Sequence, residues 1–500
     1  LKVGTLAEIL INLSSAIKNA EETLTGLAVD SRLVRPGYVF FAVPGTNTDG
    51  HLFIPQAVER GAVCVVLQNS TSLPPPETNV SWILVDDSRR AMAQAAAHFH
   101  DYPSKKMRII GVTGTNGKTT TCFYLHNILE EAGFPAGLLT TVKNLVGNEE
   151  FEAVNTTEES LHIYQHLKSM EVKGMNHAVM EISSHGLALG KVDGMHFSAA
   201  IITNIIPEHL EFHGSFEHYL NSKKLLLQMI GGNCDTTYSR MIAVNRGDAH
   251  AFGMVEQSGL PFITFGLTRE AEVRAENIHN CIDGSTFILV SPWGDIPAAV
   301  ALPGSHNVCN ALGAAALALE FGIDIQVVGR SLLKSERVPG RWERVLCGQP
   351  FEVVVDFAHN WHGLERTLTL IREVSHGKVI TVFGCGGERD IRKRPLMGEV
   401  AARYSDVCIL TADNPRHEDP LETVKGALEG VERVAEEKTV HRIVLLDRTE
   451  AIQAALSLAE AEDVVFLAGK GPERLQIYAD TVVPHNDAEV ARRYLKGKAS

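Results

Sequence analysis

Paired cysteines are missing from this sequence. Its eight cysteines, Cys64, Cys122, Cys234, Cys281, Cys309, Cys347, Cys385 and Cys408, are scattered without a CxxC pair. Neither a zinc site nor a disulfide framework is expected, and a reducing cytoplasm fits best. Blocks rich in Lys and Arg are also absent, and 46 basic residues against 60 acidic ones give a formal charge of −14. That balance argues against nucleic acid or any other broad polyanion as a partner. The most apolar stretches, such as Ala311 to Gly322, are too short or too interrupted to span a bilayer, and no basic-then-apolar leader opens the chain. Neither export nor membrane insertion is expected, although Leu1 leaves open a trimmed start. Internal repeats and low-complexity segments are lacking too. What remains is a 500-residue, 45% hydrophobic chain, enough for roughly three domains of ~150 residues with real cores.

The clearest positive signal is Arg108-Ile109-Ile110-Gly111-Val112-Thr113-Gly114-Thr115-Asn116-Gly117-Lys118-Thr119-Thr120-Thr121. A short apolar run passes into a Gly/Thr/Asn loop, and apolar residues at Cys122, Leu125, Ile128, Leu129 and Ala132, closed by Gly133, make a helical stripe. Strand, loop and helix in this order read as a phosphate site, the alternative being a Gly-rich strand-to-helix turn with an ordinary solvated lysine. Backbone N–H groups converge on an anion at the helix start, Lys118 adds a point charge, and the Thr119 hydroxyl can ligate Mg²⁺. The expected ligand is a nucleoside triphosphate. One spacing departs from the general pattern, since Gly111 stands six residues before Gly117 where five are required, a position held by Val112.

Residues 1–104 read as a small α/β domain with strands at Tyr38–Val43 and Ala62–Leu67 and polar loops at Asp30-Ser31-Arg32 and Gly45 to His51. Leu73-Pro74-Pro75-Pro76 reads as a surface loop, and Tyr102-Pro103-Ser104 as a hinge. Residues 105–337 add Asn155-Thr156-Thr157 and a strand ending at Glu181-Ile182-Ser183-Ser184-His185. A carboxylate there faces the crevice of a parallel sheet, so Glu181 is placed to hold a metal. A further strand, Ala199 to Asn204, leads to Glu208-His209, and His209 is either a metal ligand, a phosphate contact or a solvated loop histidine. By pattern alone, Lys223 and Lys224 on the helix from Phe216 to Ile230 are surface charges. Asn307 and Asn310 begin an alanine-rich helix at 308–321. Residues 338–500 carry strands at Glu352–Asp356, Val379–Phe383, Val407–Thr411 and Val464–Ala468, each followed by a polar loop. Four loops at carboxyl strand ends describe one crevice of an open parallel sheet, with Arg389 and Arg416 as forks for carboxylates.

DSR at 30–32, GVTGTNGKTTT at 111–121, NTT at 155–157, MEISSH at 180–185, HGSFEHY at 213–219, VPGRWE at 338–343, FGCGGERD at 383–390, KRPLMG at 393–398 and DNPRHEDP at 413–420 together resemble the Mur ligases across nearly the whole chain. That family carries the same extra phosphate-loop residue. The resemblance implies an α/β protein of three domains: a UDP-sugar-binding domain at 1–104, a central P-loop-type ATPase with a mostly parallel sheet at 105–337, and a Rossmann-like amino-acid domain at 338–500. It implies an ATP- and Mg²⁺-dependent amide ligase of peptidoglycan synthesis, acting as a cytoplasmic monomer away from membrane and nucleic acid. Its partners would be UDP-N-acetylmuramoyl-L-alanyl-D-glutamate and meso-diaminopimelate.

Residue by residue, the resemblance places Gly114, Thr115, Asn116, Gly117, Lys118, Thr119 and Thr120 on phosphate and Asn307, Arg341, Asp356 and His359 on the nucleotide. Thr119, Glu181, His209 and Lys223 fall near metal, with Lys118, Lys223 and His209 catalytic and Lys223 carbamylated. Ser31, His51, Asn155, Thr156, Thr157, Ser183 and Lys191 fall on the UDP substrate. Arg389, Asp413, Asn414, Arg416, Gly469 and Glu473 fall on diaminopimelate. The chain departs from the family at Glu158 for proline, Lys191 for arginine, Glu208 for aspartate, Asn360-Trp361-His362 for Thr-Pro-Asp, and Pro472 for histidine. These bear on the exact substrate, and the competing readings are a divergent ligase of another amine or acid and a non-catalytic nucleotide-binding relative.

Overall fold

A computed structural model of the chain describes residues 1–10, 12–45, 48–68, 79–232, 238–335 and 338–498. Thr46 and Asn47 of the Gly45–His51 loop, the Leu73–Pro76 run, Cys234 and the 337 end of the central region lie outside the described residues. The chain divides into two compact units. One comprises Leu1–Glu208, Ser215–Thr264 and Ala316–Gly322, and the other His209–Gly214, Phe265–Ala315 and the chain from Ile323 onward.

In the first unit, strands run in the order Asn12–Ala16, Ser81–Val85, Ala62–Leu67, Tyr38–Phe41 and Gly26–Ala28, parallel except for the first. Tyr102 takes a left-handed φ of 49°, and Pro103–Lys106 forms a short helix with Pro103 and Ser104 buried. The expected hinge is therefore a packed turn, because proline at the first helical position seats the chain rather than loosening it. A second sheet centres on Arg108–Thr113, flanked in parallel by His177–Glu181 on one side and Phe197–Ile202 on the other. Ala136–Leu139 and Met241–Asn245 extend it outward in parallel. Ile109, Ile110, Val112, Val179, Ala199 and Ile201 are all fully buried, the composition of strands covered on both faces. The two strands flanking Arg108–Thr113 both come later in the chain, so the crevice opens at the carboxyl end of that strand. The register sets Glu181 beside Val112, and this pairing delivers a carboxylate to the phosphate loop.

The second unit holds an antiparallel meander, Val273–Cys281, Gly284–Ser291 and Gly294–Val300, then helix Ser305–Glu320 begins within it. Its larger sheet has the order Glu343–Arg344, Glu352–Asp356, Val464–Ala468, Val379–Phe383, Val407–Leu410 and His441–Val444, parallel except for the first pair. Val353, Val355, Val382, Ile409, Val465 and Leu467 pack with Ala451, Ile452 and Ala455 of helix Arg448–Leu458.

Beneath this sheet Arg448 donates two parallel bonds to Asp487 (2.8 and 2.6 Å) and one to the Ala468 carbonyl at 2.9 Å, with both side chains fully buried. Burial alone would raise the Asp487 carboxyl, but Arg448 and the hydrogen bond from His485 hold it well below its usual 3.8. Removing one member of such a pair strands the other charge, so Asp487→Ala should cost about 3–5 kcal/mol near neutral pH. A lowered carboxyl contributes stability above its unfolded pKa and loses it as pH falls toward the folded one. Urea midpoints of wild type and variant should therefore converge on acidification below 3.8.

Candidate active site

The phosphate loop is shaped by two glycines and held by the neighbouring strand. Gly117, at φ 87°, caps helix Lys118–Glu131, and a β-carbon on Gly114 would sit 1.9 Å from the Thr203 hydroxyl. Asn204, just past strand Phe197–Ile202, accepts the Thr115 N–H on its carbonyl (2.8 Å) and the Asn116 N–H on Oδ1 (3.0 Å). Its Nδ2 and the Thr203 hydroxyl both donate to the Asn116 carbonyl, at 2.9 and 2.7 Å. Thr115 Oγ1 contacts the Tyr219 hydroxyl at 2.7 Å. Thr115 and Asn116 thus spend their N–H groups on fixing the loop instead of on an anion. The anion donors come from the helix start, ahead of the first intrahelical bond from Thr121 N to the Gly117 carbonyl. Lys118 Nζ donates to the carbonyls of Gly114 (3.2 Å) and Thr115 (2.8 Å), curling back over its own loop.

Beside this loop, Glu181 is buried and one of its oxygens, Oε2, accepts three bonds. They come from Thr119 Oγ1 (2.9 Å), Thr141 N (3.0 Å) and Thr141 Oγ1 (2.9 Å). Oε1 has no hydrogen-bond partner among the described residues. Lys223, expected by pattern on the surface, is only 1% exposed. Its Nζ donates to the Gly114 carbonyl at 2.8 Å and lies 4.7 Å from the centre of the Tyr219 ring, with no ion pair among the described residues. Burial first, and the Lys118 charge second, push its pKa well below 10.5 against the pull of Glu208. The structure thus gathers Lys118, Thr119, Glu181 and Lys223 around one loop. Among the described residues no group of three His, Cys, Asp or Glu side chains could hold a metal alone. A donor set of one carboxylate, one hydroxyl and outer phosphates nevertheless suits Mg²⁺, which keeps few protein ligands. His209 belongs to the second unit, takes a left-handed φ of 57°, and has Glu211 3.6 Å from its ring nitrogen.

The residues expected on the UDP substrate fall into two groups. Thr157 Oγ1 donates to the Glu181 carbonyl (3.2 Å), accepts the Ser183 N–H (2.9 Å), and lies 3.1 Å from Ser183 Oγ. Thr156 Oγ1 lies 3.1 Å from Thr141 Oγ1, and Asn155 is exposed. Lys191 binds the Thr157 carbonyl and Glu159, both at 3.0 Å, and Glu159 also pairs with Arg89 from helix Ser88–Phe99. Ser31 is buried against Gln56. His51 is buried too, and both its ring nitrogens are engaged: Nδ1 with Asp49 (2.6 Å), Nε2 accepting the Gln68 N–H (3.1 Å). It shapes its loop and presents no vacant nitrogen.

In the second unit, the four polar loops converge. Gly469 N–H donates to the Asp356 carbonyl at 3.0 Å, and a β-carbon on Gly340 (φ 66°) would lie 2.1 Å from the Pro472 nitrogen. Arg341 lies over the Phe357 ring, 4.8 Å from its centre. Burial raises the Asp356 carboxyl above 3.8 against Arg341, while one of its oxygens accepts the Trp342 N–H. Asn307 donates to the Pro303 carbonyl (2.8 Å), and His359 Nδ1 to that of Phe357 (2.9 Å). Arg416 donates to the Gly387 carbonyl and has no carboxylate partner among the described residues. Glu418, nearby in sequence, pairs with Arg394 at 2.7 Å, and Asp419 caps helix Pro420–Ala435. Arg389 is exposed and unpaired among the described residues. Burial, then the Arg389 charge, lowers the Arg416 pKa. Asn414 donates to Glu473 at 3.0 Å, and the buried Lys470 binds both. Sequence reasoning passed over Thr141, Asn204, Tyr219 and Lys470. Only Asn204, closing an apolar strand as Glu181 does, carried a positional signal.

The sequence matches the Mur ligase family catalytic domain over residues 23–100, the Mur ligase middle domain over 112–318, and the glutamate ligase domain of Mur ligases over 340–471. It is 41% identical over 478 residues to a UDP-N-acetylmuramoyl-L-alanyl-D-glutamate–2,6-diaminopimelate ligase of Solibacter usitatus, covering 96% of this chain and 94% of that one. The protein of the same description from Geobacillus thermodenitrificans is 40% identical, covering 95% of each. A solved structure of a ligase so described superposes with a TM-score of 0.66 at 27% identity, covering 100% of this chain and 99% of that one. The MurF structure from Acinetobacter baumannii superposes at 0.69 with 19% identity, over 99% and 98%, and shares the three-domain α/β fold.

Proposed function

This chain belongs to the Mur ligase family, and we propose that it joins the D-glutamyl carboxylate of UDP-N-acetylmuramoyl-L-alanyl-D-glutamate to an amino group of meso-diaminopimelate at the expense of ATP. The carboxylate attacks the γ-phosphorus, ADP leaves, the amine attacks the resulting acyl phosphate, and phosphate departs. Lys118 and the helix start neutralise the transferring phosphoryl group. Thr119, Glu181 and a carbamate on Lys223 would hold Mg²⁺, which supplies charge neutralisation between the phosphates when bound. Burial of Lys223 without an ion pair among the described residues supports the carbamate, which replaces a stranded amine with an anion. Residues 1–104, 105–337 and 338–500 then serve the uridine nucleotide, ATP and the amine respectively. Ser31 and the Asp49–His51 loop serve the first, and Thr157, Ser183 and Lys191 the acceptor peptide. The described cysteines are all free, which suits the cytoplasm, where the chain would work as a monomer.

The guanidinium fork of Arg416, without a carboxylate partner among the described residues, carries the choice of amine, because diaminopimelate differs from lysine chiefly by a second carboxylate that must trade water for charge-assisted bonds. Such a bond is worth about 1.5–3 kcal/mol, so Arg416→Ala should lower kcat/KM for diaminopimelate by about ten- to a hundredfold. Lysine should be little affected. Phosphate release with ATP, Mg²⁺, the UDP-dipeptide and a panel of amines tests the proposal, and equal losses on both amines, or a wild type preferring lysine, would contradict it.

A further inference from the structure

Glu473 and Asn414 are placed by a third residue that belongs to no motif quoted above. Lys470 is 0% exposed, and its Nζ lies 2.7 Å from Glu473 Oε2 and 3.1 Å from Asn414 Oδ1. An ammonium so deeply buried is tolerable only when paired, so its geometry is narrowly set. Asn414 Oδ1 also accepts the Ile477 N–H at 3.0 Å. Two donors on Oδ1 fix the orientation of the amide, since a flipped amide would oppose N–H to N–H. Its Nδ2 is thereby aimed at Glu473 Oε2, 3.0 Å away. Both bonds to Glu473 therefore fall on one oxygen, and Oε1 has no partner among the described residues. Arg416 stands within electrostatic reach of Glu473 and Arg389.

We infer that Lys470 is a positioning residue for the amine: it anchors one oxygen of Glu473, leaves the other for the distal ammonium of a diamino dicarboxylate, and withholds that carboxylate from Arg416. The inference rests on the proposed amine. Without Lys470, the Arg416 guanidinium stays within electrostatic reach of Glu473, and a carboxylate swung toward it would close the fork that the substrate carboxylate needs. Lys470 thus keeps an acid and a base apart inside one small site.

The test compares wild type, Lys470→Met and Lys470→Arg, varying diaminopimelate, ATP and UDP-dipeptide in turn. KM for diaminopimelate should rise about ten- to a hundredfold in Lys470→Met, with the other two KM values within about twofold. Lys470→Arg should recover part of the loss. An unchanged KM for diaminopimelate, or a parallel rise in all three, would overturn the inference. Should Lys470→Met fail to fold, Lys470→Gln, which keeps a donor without the charge, serves the same comparison. A wild type that turns over another amine and refuses diaminopimelate contradicts the proposed substrate instead, so the two failures are distinguishable.

Discussion

Lys118→Ala should abolish phosphate release, lowering kcat by about a hundred- to a thousandfold, while leaving the fold intact. Among the described residues Lys118 makes no ion pair and donates only to two carbonyls of its own loop. The loop keeps its shape through Asn204, Thr203 and Tyr219. The side chain is therefore dispensable for folding and needed when negative charge accumulates on the transferring phosphoryl group. A circular dichroism spectrum and Tm like those of wild type, with turnover lost, is the expected pair of results. Near-normal phosphate release in this variant would show that the loop is not the ATP site.

Lys223→Ala should be nearly as damaging, by about a hundredfold or more, because losing the proposed metal-facing carbamate would remove several kcal/mol of charge stabilisation. The substitution also removes the side chain that reaches Gly114, Thr113 and Tyr219, the place a short carboxylate would take. Added formate or acetate should restore part of the rate, and mass spectrometry of wild type kept in bicarbonate should show the carbamate. Unimpaired turnover by Lys223→Ala would exclude any part for this side chain in the reaction.

The features legible in the sequence were those built from consecutive residues. Strands Ala62–Leu67, Glu352–Asp356, Val379–Phe383 and Val464–Ala468 stand where their apolar runs begin and end, since runs buried on both faces leave little choice of structure. Glycines of the phosphate loop were legible for a similar reason, as φ 87° at Gly117 admits few other residues. Lys223 was misplaced by pattern because a helix's apolar face does not disclose that a loop carbonyl waits beneath it. Thr141 was invisible because it reaches Glu181 only through the parallel pairing of His177–Glu181 with Ala136–Leu139. Sheet order is a tertiary fact, absent from local periodicity. Lys470 could be read only as one letter of a Gly-rich loop, its burial being decided by Asn414 and Glu473 together.

The central claim is that ATP activates the D-glutamyl carboxylate as an acyl phosphate for attack by diaminopimelate. Its most direct test labels that carboxylate with heavy oxygen and follows the label through one turnover with ATP, Mg²⁺ and diaminopimelate. One labelled oxygen is expected in each phosphate released, with the other retained in the new amide. Unlabelled phosphate, or label recovered in AMP, would contradict it.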